Sequence, residues 1–414
     1  MLKTNYGIAA VVVLLGLYPA FHLPVLKLIL LVVVIGVFGS ANHIDRQVLW
    51  QSLNWRYLAF AQFFVFFFIN ALIYPVWDTS KVSYRAIALE SWGISLLCLI
   101  VLATWLSILK AEDLRRAIIK WLPVGLTISF CVASWIYFSG SQGTRVKLFT
   151  PNPLGPPFWF LILAVASFGW FFEIGYRHRA WRVAIFLMAG LMALYGGARL
   201  VMIAWVLSGM VLVTWGYLQS ERRYRPWILS GAGFIGALAI GGILLLDFVS
   251  GGGFLSRMAW LIPADYSYDS LRSQNSRVIL WEGAWSVISD NVLLGIGQAN
   301  ERAAIEQEIG WGKWYRAHQA YLSYLVAGGI PALVSGLLLQ SPALIFLKRQ
   351  NRGALLPAFL GIGVVVTLNC LTDSIFQSAV AVQAFMVVAL LFGRASDVDQ
   401  PILHSQKHTS SATV

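Results

Sequence analysis

Along the chain, mostly apolar runs alternate with short polar or Pro/Gly punctuation. They fall at about 6–20, 24–40, 57–76, 86–108, 117–138, 156–174, 183–196, 200–218, 227–246, 318–347, 355–371 and 375–393. About 20 apolar residues in a helix cross a bilayer, because in hydrocarbon each backbone N–H and C=O must be satisfied within its own segment. Twelve such runs predict an all-α, polytopic integral membrane protein with about 12 transmembrane helices. Between 183 and 218, Gly196, Gly197 and Arg199 split one long run into two shorter helices.

Composition closes off the other classes. Of 414 residues, 58% are hydrophobic and 12% charged, where a soluble domain carries about 25% charged residues. That excludes a cytosolic enzyme, a disulfide-stapled secreted scaffold and a disordered chain. The net charge of +12 is scattered between apolar runs and forms no basic stripe, so no nucleic-acid partner is expected. Cys98, Cys131 and Cys370 lie in apolar stretches without ligand spacing. The run Ile8–Leu17 is as short as a signal-peptide core. Pro19, Phe21 and His22 follow it where a small-residue cleavage site would stand, so an uncleaved first span is expected.

Loop charge predicts orientation, since Lys and Arg accumulate on the cytoplasmic side. With the N-terminus inside, the cytoplasmic loops hold fifteen: Arg46, Arg56, Lys110, Arg115, Arg116, Lys120, Arg177, Arg179, Arg182, Arg222, Arg223, Arg225, Lys348, Arg349 and Arg352. The short outer loops hold five: Lys81, Arg85, Arg145, Lys147 and Arg199. Both termini are therefore expected in the cytoplasm. The expected organisation is a bundle of about nine spans over 1–247, an outer loop over 248–316, C-terminal spans over 317–393 and a polar cytoplasmic tail over 394–414.

That outer loop is long for a compact protein and rich in Trp, which argues for function and against disorder. Val278, Trp281, Trp285 and Ile288 share a helical face, with Ser276 as a possible N-cap and Asp290 near the end. An amphipathic helix lying at the outer surface is expected there. Gly295 and Gly297 then form a turn, and 298–309 reads as a second, more polar helix.

Ionisable groups at or near membrane depth mark functional candidates. Here they gather on the expected outer side: Arg199 at the broken pair of helices, Asp373 between the last two spans, Arg277, Arg316 and His318 bordering the long loop, and Arg85 at the start of the fourth span. Guanidinium groups grip phosphate oxygens bidentately and stay charged. Each residue also has a structural reading. Arg199 could bond carbonyls freed at the glycine pair, Arg277 could snorkel to headgroups, and His318 and Asp373 could serve helix ends. The sequence contains no HExxH, CxxC, DxD, Walker loop or GxSxG, so a transferase here is expected to need no cofactor, metal or nucleotide.

One region carries a resemblance. SRVILWEGAWSVISDNVLLGIG followed by RAHQAYLSYLVAGGIPALVSG resembles the signature of the O-antigen ligase and O-antigen polymerase superfamily. In that pattern an Arg precedes a Trp-containing helix, a Gly-x-Gly turn follows, and a His opens a span reading His-x-x-aromatic-Leu. Arg277, Trp281, Gly295, Gly297, His318, Tyr321 and Leu322 fall into it in order. Upstream, GGARLVMIAWVLSG looks like the family's Arg-led span with Arg199 in place, and LTDSIF puts Asp373 at an acidic position. Val292 stands where Pro is usual, and Gln319 where Asn is common.

The resemblance implies a bacterial inner-membrane glycosyltransferase working at the periplasmic face without metal. Its donor would be a glycan on undecaprenyl pyrophosphate. A ligase would pass the glycan to the lipid A core oligosaccharide, and a polymerase to another repeat unit. It further implies His318 as general base, Arg199, Arg277, Arg316 and Arg85 on the pyrophosphate, and Asp373 and Tyr321 in support. Ligase is the favoured reading, with polymerase the alternative. A transporter or flippase is the reading from another class. It is disfavoured because transporters place polar groups near the midplane between similar halves, whereas these groups cluster at one face and the halves are unlike.

Overall fold

The computed structural model describes residues 2–39, 55–76, 82–139, 155–171, 174–196, 198–220, 276–310, 316–340, 352–371 and 378–397, with isolated positions between 222 and 244. Among the described residues the regular structure is helical. The helices are α1 (Leu2–Phe21), α2 (Leu23–Gly39), α3 (Trp55–Ile73), α4 (Val82–Ile108), α5 (Ala111–Phe138), α6 (Gly155–Ala166), α7 (Tyr176–Tyr195), α8 (Arg199–Gln219), α9 (Ser276–Asn291), α10 (Glu301–Ile309), α11 (Ala320–Gln340), α12 (Arg352–Cys370) and α13 (Ala379–Ala395). Eleven of the expected runs coincide with a helix. The twelfth, 227–246, is described only at isolated positions, and the loop stretches 245–275 and 311–315, Asp373 and the tail beyond 397 lie outside the described residues.

Burial identifies the solvent. Leu28, Leu31, Ile35 and Phe38 on α2 are exposed, as are Ile87, Ile94, Leu97 and Ile100 on α4 and Val206, Leu207 and Met210 on α8. Apart from the adjacent pair Val206 and Leu207, these residues recur three to seven positions apart and form apolar ridges facing away from the bundle. In water such surfaces would aggregate, whereas a lipid bilayer covers them at no cost. Four helices, within α4, α5, α8 and α11, are long and apolar enough to cross a membrane, and six shorter apolar helices accompany them. The chain is a multi-pass membrane protein.

Two helices form the inside of the bundle. Every residue of α6 is buried, and so are all of α13 except Val380 and Arg394. Around α6 stand α1, α7, α8 and α12, while α13 packs on α4 and α5. α6 is shorter than its apolar run. It ends at Ala166 in a tight turn through Trp170 at φ 58, so its twelve residues rise about 18 Å against a hydrocarbon core of about 30 Å. The expected span 156–174 is therefore a half-length central helix.

Close backbone approach sets the tightest pair. Gly16 of α1 and Gly125 of α5 face each other so closely that a Cβ on Gly16 would lie 2.8 Å from the Gly125 Cα. Ser129 of α5 donates to the Gly16 carbonyl at 2.8 Å. Small residues and a cross-helix hydroxyl are how helices associate where no water drives them together.

Several cations of the orientation count stand inside helices, among them Arg115, Arg116 and Lys120 in α5 and Arg177, Arg179 and Arg182 in α7. Arg182 lies within α7, 1% exposed, and donates to the carbonyls of Ser167, His178 and Ile119. It thus bonds one carbonyl just past the end of α6, one in α7 and one in α5, and these bonds satisfy the buried guanidinium.

Candidate functional site

Three helices form a unit with its own small core. Leu280, Ala284, Val287 and Ile288 of α9, Ala304 and Ile305 of α10, and Ala317 and Val326 at the start of α11 are buried together with Ile296. This turns the expected face of α9. Leu280, Ala284 and Val287 point inward, one helical position from the Val278–Trp281–Trp285 stripe, and Trp285 is 61% exposed. α9 is apolar on both sides because one side meets α10 and α11 and the other faces outward beside the exposed Leu293 and Leu294.

The Gly-x-Gly turn is held by a break in α11, which the apolar run 318–347 did not reveal. Gly328 (φ −149, ψ 19) and Gly329 (φ 62, ψ −153) leave helical geometry. Pro331 has no N–H to offer the Ala327 carbonyl one turn back. The freed groups pair with the turn instead. Ile296 N–H donates to the Val326 carbonyl at 2.9 Å, Gly297 N–H to Ala327 at 2.9 Å, and Ile330 N–H to Val292 at 3.0 Å. Only glycine fits at the meeting point: Gly295 sits at φ 67, and a Cβ there would lie 2.5 Å from the Gly328 nitrogen. The ring of Tyr324 lies against Gly336, twelve positions on. A straight helix would separate them by about 18 Å, so α11 doubles back into two half-helices.

Side chains from α3 and α4 complete the node. Asn70 Nδ2 donates to the Ala327 carbonyl at 2.9 Å, and its Oδ1 accepts from the Gln298 N–H at 3.1 Å. Tyr74 donates to the Leu294 carbonyl at 2.8 Å, and Trp92 Nε1 to Gln298 Oε1 at 2.9 Å. Asn300 Nδ2 donates to the Pro75 and Ile296 carbonyls, each at 2.8 Å. Beneath lies an aromatic cluster in which Phe67 stacks on Trp92 at 5.2 Å and Tyr324 meets the edge of Phe63 at 6.0 Å. The turn is thus anchored to the ends of α3 and α4 that share one side of the bundle.

His318 stands two residues before α11 at φ 51, in the left-handed region that costs a non-glycine residue about 1–2 kcal/mol. Such conformations persist where surroundings over-determine them, and they cluster at functional sites. Gln319 Oε1 accepts the Leu322 N–H at 3.0 Å and caps α11. The short amide of Asn would serve the same cap, so the departure from the signature at 319 keeps its chemistry. At 292 the bond runs through the carbonyl, which Pro would also supply.

Of the seven residues singled out from sequence, the structure brings Arg277, Arg316 and His318 into this unit. All three are half-buried, with Arg277 in the first turn of α9 and Arg316 two residues before His318. Ser276 is the first helical residue of α9. Arg85 occupies the first turn of α4, two turns before Trp92. Arg199 opens α8 after the Gly196 turn, as the glycine pair implied. α8 packs mainly on α12 and α7, and α12 stands between it and α11. Tyr321 stands in the first turn of α11, which packs on α12.

Sequence reasoning passed over Glu301 and Asn70. Glu301 is fully buried, and its Oε1 accepts the Ser323 hydroxyl at 2.5 Å and the Ala317 N–H at 3.4 Å. Its signal was phase: it shares a helical face with Ala304 and Ile305, the buried residues of α10. Asn70 was visible as the one amide inside FFVFFFINALIY.

The structure thus gathers a histidine on strained backbone and two arginines on one packed unit of a membrane-protein bundle. The model of a family described as O-antigen ligase (Wzy_C) matches residues 183–337, which take in α8 through the break in α11. Over those residues the chain is similar to the O-antigen ligase superfamily, as the sequence signature implied. No curated protein matches it significantly.

Proposed function

We propose that this protein is an O-antigen ligase, moving a glycan from undecaprenyl pyrophosphate onto the lipid A core oligosaccharide at the periplasmic face of the inner membrane. The observation that carries the reading is His318 on strained backbone at the start of α11, in one packed unit with Arg277 and Arg316 and inside the family-matched segment. In the proposed reaction His318 takes the proton from an acceptor hydroxyl. That oxygen bonds to the anomeric carbon, and the bond from that carbon to the phosphate oxygen breaks. Undecaprenyl pyrophosphate leaves with the electron pair. Arg277 and Arg316, with Arg199 and Arg85 contributed from α8 and α4, hold the pyrophosphate and stabilise its growing charge. Asp373 and Tyr321 support the site, and no metal is required.

The periplasmic loop 248–316, both termini in the cytoplasm and twelve spans belong to the same proposal. The test is the lipopolysaccharide of a strain lacking the gene. Core without attached polymer, alongside polymer still on its lipid carrier, is the expected result. Core bearing a single repeat would assign a polymerase instead, and an unchanged profile would overturn both.

A further inference from the structure

Something must hold His318 in its left-handed conformation, and the sequence signature supplies no candidate. The bonds around it do. Glu301 reaches across from α10 and takes a hydrogen bond on each side of the histidine: the N–H of Ala317, immediately before it, at 3.4 Å, and the hydroxyl of Ser323, one turn into α11, at 2.5 Å. Glu301, Ala317 and Ser323 are all fully buried. Hydrogen bonds to a carboxylate are roughly twice as strong as neutral ones, and burial denies the two donors a substitute in water.

Glu301 is itself fixed. It opens α10, whose first turn is set by the Asn300 amide on Ile296 and Pro75. A chain of bonds therefore runs from the end of α3 through Asn300 and Glu301 to both flanks of His318. On the reading of His318 as the general base, we infer that Glu301 is its positioning residue. It touches neither donor nor acceptor, and it holds the backbone on which the imidazole is aimed.

The test uses full-length protein in lipid, with a lipid-linked glycan as donor and core lipopolysaccharide as acceptor. Three variants are compared: Glu301→Ala removes the clamp, Glu301→Gln keeps an oxygen able to accept both bonds, and Ser323→Ala removes one donor. The expected result for Glu301→Ala is a kcat lower by about 10–100-fold, the span of a misplaced general base, with the KM for donor within about threefold of wild type, well inside that span. Glu301→Gln should recover to within about tenfold of wild type by the same scale, and Ser323→Ala should fall between.

The inference is overturned if Glu301→Ala keeps the wild-type kcat. It is equally overturned if kcat and melting temperature fall while donor KM rises and Glu301→Gln is impaired as far, since that pattern means a residue needed for folding alone. The parent reading fails separately, through a His318 variant that still transfers glycan.

Discussion

A histidine at φ 51 carries about 1–2 kcal/mol of backbone strain that glycine in its place would not. This separates the ring's two possible roles more sharply than alanine scanning does. His318→Gly relieves the strain and removes the imidazole. The variant is expected to melt no lower than wild type, bind donor normally, and lose about 10²–10⁴ in transfer rate, the contribution of a positioned base. His318→Ala keeps the strain without the ring and should be the less stable of the two. Transfer by His318→Gly above about a tenth of wild type, against that same scale, would return the residue to a structural role. Arg277 allows a parallel test. Lysine keeps the charge but not the planar fork, so Arg277→Lys is expected to lose about 10–100-fold in donor affinity, the worth of a charged hydrogen bond, with the protein still folded. Donor binding measured in lipid nanodiscs decides it.

At the scale of elements, sequence periodicity located helices well and their interruptions poorly. The split of 183–218 at Gly196 was legible because two glycines and an arginine interrupt the apolar run. Gly328, Gly329 and Pro331 were equally visible in 318–347, but apolar residues flank them on both sides, so hydropathy runs through the break. What decides the break is tertiary: the turn 292–297 supplies the donors and acceptor that the two half-helices lack. The same blindness hid Glu301, since no pattern within QANERAAIEQEI says that Ser323 and Ala317 will arrive to bond it. His318, Arg277 and Arg316 were found because charge and imidazole stand out in an apolar chain, whereas the amide of Asn70 did not. Asn70 yields the prediction at this scale. Asn70→Ala takes the amide acceptor from the Gln298 N–H, at about 1–3 kcal/mol for that group, and removes the second donor from the Ala327 carbonyl, which keeps the Gly297 N–H. Asn70→Asp restores the acceptor but turns a carboxylate toward the Ala327 carbonyl, so it should rescue nothing. Thermal unfolding in detergent is expected to place both variants well below wild type, with Asp no better than Ala. A wild-type melting point for Asn70→Asp would show that the bond to Ala327 is dispensable.

For the whole molecule, the direction of insertion decides whether any of this chemistry can occur. The C-terminal end of α3, the first turns of α4, the turn at 295–297 and the start of α11 lie on one side of the bundle, since Asn70, Tyr74, Pro75 and Trp92 bond to the turn from there. Of the fifteen Lys and Arg expected on the cytoplasmic side, Arg56 opens α3 and Lys110, Arg115 and Arg116 follow α4, at the ends of those helices away from the node. Anionic lipid and the membrane potential retain such cations in the cytoplasm, so the node should face the periplasm. The protein contains three cysteines. In a background lacking them, single cysteines at Ser267 and at Gln350 can be challenged in intact cells with a reagent that does not cross the inner membrane. Ser267→Cys is expected to label at once, and Gln350→Cys only after the membrane is opened. The reverse pattern would put the histidine and its arginines in the cytoplasm, away from any acceptor assembled outside, and the ligase reading would fail together with the roles of His318 and Glu301.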